Sequence, residues 1–291
     1  MTRDSGADPI PMEELTESHR FDSELAALLT RFQYHKDDIT LTAAEPRPLP
    51  SSAYTASTAG LEAVFDSSAS LVFVCYDDRT HQMVNPIEVT LSHAIATAVR
   101  QPTEIRPDGG TADFRNWSAD GTGRTDPAAQ MDITQTVAAQ QDPPSFGVVT
   151  PHNAQRGALE TQFPEAITAN TVEKYQGGER DIIAVSATVS DPEFARREEQ
   201  FILNPNRLLV AISRSRLLTV VVCSTSLFEV APKESDRLAN GPVWARLFTQ
   251  TAGTDPTPAW SGSLAAFTGN SGSSHASVPV RVYPSTDPGG M

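Results

Sequence analysis

The stretch of this 291-residue chain best equipped for chemistry is TVEKYQGGERDIIAVS, residues 171–186, where a polar turn with two adjacent glycines passes at once into an apolar strand. Gly177 and Gly178 permit positive φ and close backbone approach. Around them crowd Thr171, Glu173, Lys174, Gln176, Glu179 and Arg180. A plain turn needs one or two such residues. The excess marks a site-bearing loop at the edge of a sheet. Two further groups follow the same plan. His152, Gln155 and Arg156 stand in PHNAQRGAL directly after the apolar run FGVVT, and Arg207 and Arg214 share one helical face in NRLLVAISRSR, ahead of LLTVVVC.

These groups need elements to position them, and the hydrophobic pattern supplies five. Residues 71–76, 146–150, 167–171, 181–188 and 217–223 are short apolar or β-branched runs, the mark of strands buried on both faces. Helical segments alternate with them. Asn85, Pro86 and Glu88 read as an N-cap, a first-turn proline and a capping box opening a helix that stops near Gln101, before Pro102. Asn204-Pro205 opens another in the same way. Alternation of this kind predicts an α/β fold with a mainly parallel sheet of five or more strands, helices on both faces and function at the carboxyl ends of the strands. The candidate residues are expected at those ends.

The rest of the chain reads as accessory. Residues 1–70 form an arm with one amphipathic helix at 21–32 and a connector, 71–250 the domain, 102–144 an insertion within it, and 251–291 a Ser/Gly/Thr/Pro-rich disordered tail. The charged segment 191–200 reads as a solvated face. No apolar run approaches membrane-spanning length, so a soluble cytoplasmic protein with no membrane partner is expected. Cys75 and Cys223 lie in apolar runs and read as buried reduced thiols. His93 has no second metal-type residue at helical spacing, and no metal site is expected. Gly121 to Gly123 lack the third glycine and the leading strand of a dinucleotide loop.

Charge sets a further bound. Acidic residues number 36 against 22 basic, a formal net charge of −14, and only Lys36, Lys174 and Lys233 are lysines. That balance resembles proteins of salt-accumulating halophiles, and is also that of an ordinary acidic protein. Nucleic-acid binding, if present, must come from a local patch, because the chain has no overall basic footprint.

Taken in order, PHNAQRGAL after a strand, TVEKYQGGERD before a strand and NRLLVAISRSR before a strand resemble motifs IV, V and VI of the superfamily 1 nucleic-acid helicases, in the branch of the nonsense-mediated-decay RNA helicase. The resemblance covers roughly residues 71–230 and implies the second, C-terminal, RecA-like domain of such an enzyme, a three-layer α/β unit. It implies that Arg156 and Arg214 reach the γ-phosphate of ATP, where a planar, always-charged fork suits equatorial oxygens. It implies that Gly177 and Glu179 line the nucleotide side, with His152 and Gln155 framing the base. Thr171 and Lys174 would meet the nucleic-acid backbone and Gln176 would link the two sites. His152 stands where the family usually has tyrosine, and Leu209 where asparagine is common.

A motor of this kind also needs a phosphate-binding loop with lysine after glycine, and an Asp-Glu pair for magnesium. The three lysines follow His35, Glu173 and Pro232, and Asp-Glu does not occur. The expected reading is therefore the C-terminal half of an ATP-dependent helicase, inactive alone, with ATP and Mg2+ held mainly by a separate or upstream Walker-bearing domain and single-stranded DNA or RNA as partner. Two alternatives stay open: a non-catalytic nucleic-acid- or protein-binding module derived from a helicase, and an unrelated α/β nucleotide-binding domain.

Overall fold

The computed structural model describes residues 17–18, 21–43, 49–99, 144–163, 167–175, 178–233 and 241–286. The expected insertion at 102–144 lies almost wholly outside them. Among the described residues nine strands run in chain order: β1 (Glu17–Ser18), β2 (Thr42–Ala43), β3 (Leu71–Tyr76), β4 (Phe146–Thr150), β5 (Thr168–Thr171), β6 (Arg180–Ser186), β7 (Ser215–Ser224), β8 (Trp260–Ser263) and β9 (Pro279–Pro284). Seven of them form one sheet in the order β5-β4-β6-β7-β3-β9-β8. The first five are mutually parallel, and β9 and β8 add antiparallel. This is a mixed α/β sheet of RecA-like character.

Helices cover both faces, as they must when strands are apolar throughout. On one side lie α1 (Ser23–Phe32), α7 (Pro205–Ile212) and α8 (Val243–Ala252); on the other lie α2 (Ala59–Phe65), α3 (Pro86–Ala98), α4 (Asn153–Glu160) and α9 (Leu264–Thr268). Each strand therefore feeds two cores. Phe73 and Cys75 of β3 join the first core, Val72, Val74 and Tyr76 the second. Cys75 and Cys223 face each other across β3 and β7 as free, buried thiols, as expected. Helix starts repeat one chemistry. Asn85, Asp191 and Asn204 each accept two backbone N–H bonds, and a proline follows each in the first turn, opening α3, α5 (Pro192–Arg197) and α7. Between α5 and α7 sits the short α6 (Glu199–Ile202).

Three expectations change here. The 251–291 segment, expected to be disordered, supplies β8, α9 and β9. Val280 and Val282 are fully buried while Arg281 and Tyr283 point away, and Arg281 forks onto Asp77 with two 3.0 Å bonds. The period-two alternation in PVRVYP was the signal, masked by the Ser/Gly-rich stretch that forms its approach. The connector before residue 71 contains α2, whose Leu61, Val64 and Phe65 are buried, so the domain begins well before β3. Glu88 does not close a capping box; its carboxylate is drawn into the core, as described next.

Candidate functional site

Strand register defines the two ends of the sheet. Thr171 pairs with Thr150, Val149 with Val185 and Ser186 with Val222, so Thr171, Thr150 and Ser186 lie in one row at the carboxyl ends. Arg180 pairs with Ser215 at the amino end. At about 3.3 Å per residue, β6 separates these rows by about 20 Å. The polar turn is therefore no simple loop. It leaves β5 at Thr171, at the carboxyl end, and enters β6 at Arg180, at the other, crossing the face of β4 on the way.

Tyr175 makes that crossing. Its ring is 3% exposed in the first core, its N–H donates to the Thr171 carbonyl (3.0 Å), and its hydroxyl lies 3.3 Å from Thr168 Oγ1. The hydroxyl occupies the place of a missing side chain, since a Cβ on Gly147 would fall 1.8 Å from it. Gly147 is thus required for close approach rather than for its backbone angles.

At the amino end the structure brings together Glu179 and Arg214. The Arg180 N–H donates to the Arg214 carbonyl (3.3 Å), and Glu179 Oε2 takes Arg216 Nε at 3.3 Å. Both residues were expected at the carboxyl ends; the crossover and the α7–β7 turn place them at the opposite end. Arg156 does not join them. It stands in α4, whose Leu159 packs into the second core, and it pairs with Glu160 at 3.8 Å. Its neighbour Gln155 reaches Ser186 at the carboxyl row. Arg156 thus stands on α4, against the second core, and Arg214 at the turn that follows α7, which packs in the first.

Gln155 is corrected as well. It is fully buried; its oxygen accepts the Asn85 N–H (2.8 Å) and its amide donates to Ser186 Oγ (3.1 Å) and the Asn85 carbonyl (3.3 Å). It is a brace between α3, α4 and β6, with no surface left to frame a base. His152, just before α4, packs edge-on to Phe194 with ring centroids 6.1 Å apart, and burial lowers its pKa against the field of Glu198. Thr171 is 4% exposed and Lys174 is exposed. Gln176 and Gly177 lie outside the described residues.

Two clusters escaped the sequence reading. The first surrounds Glu88, fully buried at the carboxyl ends. Tyr76 donates to Glu88 Oε1 (2.7 Å), while Ser186 Oγ (2.6 Å) and the Thr188 N–H (2.7 Å) donate to Oε2. Burial raises its pKa to about 7, against these three donors, which pull it down. The second links the crossover to α7: Arg207 forms an ion pair with Glu173, and its guanidinium lies 4.0 Å from the centroid of the Phe201 ring. Arg207, Phe201, Thr150, Pro151, Val172 and Trp244 border a depression at the carboxyl ends of β4 and β6. Only the helical spacing of Arg207 was visible in advance.

Residues 127–226, which hold these groups apart from Tyr76, Asn85, Glu88 and Trp244, match the family model described as an AAA domain. The fold and this match liken the domain to the RecA-like domains of superfamily 1 helicases. The domain is similar to "Probable RNA helicase armi" of Drosophila melanogaster, at 33% identity over 93 residues, 29% of this chain and 8% of that protein. It is similar to "Regulator of nonsense transcripts 1 homolog" of Arabidopsis thaliana, at 29% over 152 residues, 43% of this chain and 12% of that protein. It is also similar to "ATP-dependent helicase upf1" of Schizosaccharomyces pombe, at 29% over 156 residues, 46% of this chain and 16% of that protein. The chain thus spans between 8% and 16% of the length of these helicases. Among the described residues no helix is long and apolar enough to cross a membrane, and no group of three or more metal-type side chains converges.

Proposed function

We propose that this RecA-like domain is the nucleic-acid-sensing half of an ATP-dependent helicase motor and works against a Walker-bearing domain that holds ATP and Mg2+. The observation that carries the reading is the crossover from Thr171 to Arg180. One of its ends lies in the carboxyl row beside Lys174, and the other lies beside Arg214, about 20 Å away. A ligand at one end can thus be felt at the other through one packed segment pinned by Tyr175 on Gly147. The Thr171 end offers a small hydroxyl and an exposed ammonium to a phosphate backbone, contacts that position a strand without reading its sequence. The Arg214 end offers an always-charged fork and a carboxylate to nucleotide phosphates. Arg156, on the other face, has no part in this assignment. With neither a glycine-preceded lysine nor an Asp-Glu pair in the sequence, the chain alone is taken to hydrolyse no ATP.

The nucleic-acid half of the reading is testable on the chain alone. Single-stranded oligonucleotides followed by fluorescence anisotropy should bind in a salt-dependent manner. Thr171→Val, which keeps shape and removes the hydroxyl, should weaken binding roughly ten- to a hundredfold, the worth of one hydrogen bond to a charged group. Equal affinity for wild type and variant would remove Thr171 from the contact.

A further inference from the structure

The charged segment 191–200, read from the sequence as a solvated face, is followed at once by an aromatic ring that burial does not explain. Phe201 is 41% exposed, one of three large apolar side chains so placed among the described residues. The ring is nonetheless held in place. Arg207 lies 4.0 Å from its centroid, and Arg207 is itself tied to Glu173 of the crossover. Phe201 therefore stands on the rigid core of the domain, linked directly to the segment that carries Thr171.

Its surroundings differ on its two sides. Toward the sheet lies the depression bordered by Thr150, Pro151 and Val172. Away from the sheet lies a groove of about 370 Å³ lined by Arg196, Arg197, Glu198, Glu199, Gln200 and Lys233, with Phe201 at their junction. Arg196 pairs with Glu193, and Lys233 Nζ lies 4.0 Å from the same carboxylate. Arg197 is exposed, its guanidinium 5.5 Å from the centroid of the Phe194 ring. In a chain with a net charge of −14, the surroundings of this ring are balanced, Arg196, Arg197 and Lys233 standing against Glu193, Glu198 and Glu199, with Arg197 and Lys233 exposed.

We propose that Phe201 is a stacking platform for one base of a single-stranded nucleic acid whose backbone passes from the Thr171 end of the crossover over Arg197 and Lys233. Every base has a π-face, so a ring fixed from behind by a cation takes any of them, and flanking cations follow the phosphates. The site would bind without sequence preference. The proposal rests on the reading of the Thr171 end as a nucleic-acid contact.

The test uses the full chain and fluorescein-labelled 15-mers of deoxythymidine and of uridine in anisotropy titrations. Phe201→Ala should weaken both about tenfold or more, in line with the worth of base stacking. Thermal unfolding should stay close to wild type, because the ring is exposed. Phe201→Trp should retain affinity, and its added fluorescence, taken against the wild-type spectrum, should be quenched as oligonucleotide binds. Arg197→Ala with Lys233→Ala should flatten the dependence of log affinity on log salt by about 1.4, two single-strand phosphate contacts. If Thr171→Val weakens binding while Phe201→Ala binds like wild type, the platform is wrong and the loop reading stands. If Phe201→Ala weakens binding but the Trp variant shows no quenching, the ring acts structurally and the platform is also wrong. Absence of single-strand binding by the wild type would overturn both.

Discussion

Replacing Arg214 with alanine, in a motor assembled from this domain and a Walker-bearing partner, should lower the single-turnover rate of ATP hydrolysis by about a thousandfold or more. Arginines that meet the transferring phosphoryl group are worth about 10³ to 10⁵ in rate, because charge spreads over the equatorial oxygens and a rigid cation neutralises it without reorganising. At room temperature that corresponds to about 4–7 kcal/mol of barrier. Arg214 is suited to this by position. It stands at the turn between α7 and β7, and its carbonyl takes the N–H of Arg180 at the end of the crossover. Arg214→Lys should restore only a small part of the rate, since a point charge does not match the forked geometry. Arg156→Ala should cost less than about threefold, because α4 lies against the second core and Arg156 makes a long, half-buried ion pair with Glu160 there. Comparable losses for the two alanine variants would contradict the separation of these arginines by the sheet.

The second large effect belongs to Glu88. Its two oxygens accept from Tyr76, Ser186 and the Thr188 N–H, and they do so with no exposure to water. In Glu88→Gln the single oxygen must face Thr188, whose N–H can only donate. That leaves an NH2 group toward Tyr76, whose hydroxyl already accepts from Asn85 Nδ2 at 2.6 Å. A loss of about 2 kcal/mol is expected. Glu88→Ala, which leaves all three donors without an acceptor beside a cavity, should cost about 4 kcal/mol, a fall in Tm of roughly 8–16 °C.

The pH dependence follows from burial. The folded-state pKa of Glu88 is raised, from 4.5 to about 7, so between these values the folded chain keeps a proton that the unfolded chain has lost. The contribution of this group is then fully present below about pH 4.5 and is lost as pH rises through 7, on the order of 3 kcal/mol in all. Denaturant unfolding of wild type and Glu88→Gln from pH 4.5 to 8 should show the gap between them narrowing as pH rises. A constant gap would show that Glu88 titrates alike in both states.

Much of this was legible in the sequence. LVFVCY, FGVVT, DIIAVS and LLTVVVC are too uniformly apolar for half-buried strands, and each became a central strand of the sheet. The Asn-Pro starts of α3 and α7 were equally plain, because capping is local chemistry. Spacing does not reveal where a side chain goes once its element is packed. Glu88 sits at the right offset to cap α3, yet Tyr76 from one strand and Ser186 and Thr188 from the end of another capture it. Gln155 follows a strand as a ligand-binding residue would, and is consumed by Asn85 and Ser186. Glu179 is expected at the wrong end because the glycines of the polar turn suggest a compact loop, and Arg214 because it reads as part of a helix beside the last strand, where it instead stands in the turn after α7. Tyr175 on Gly147 makes the polar turn a crossover as long as a strand. Phe201 was hidden among charges, and a ring in such a run carries no periodic signal.

The central claim is that this domain senses nucleic acid at one end of the crossover and nucleotide phosphate at the other, and that another domain supplies the phosphate-binding loop. ATP hydrolysis measured for the chain alone, for a Walker-bearing superfamily 1 first domain alone and for the two combined, each with and without single-stranded oligonucleotide, tests this most directly. The account predicts background rates for each part and a nucleic-acid-stimulated rate only for the pair. Hydrolysis by the chain alone, or a paired rate indifferent to oligonucleotide, would contradict it.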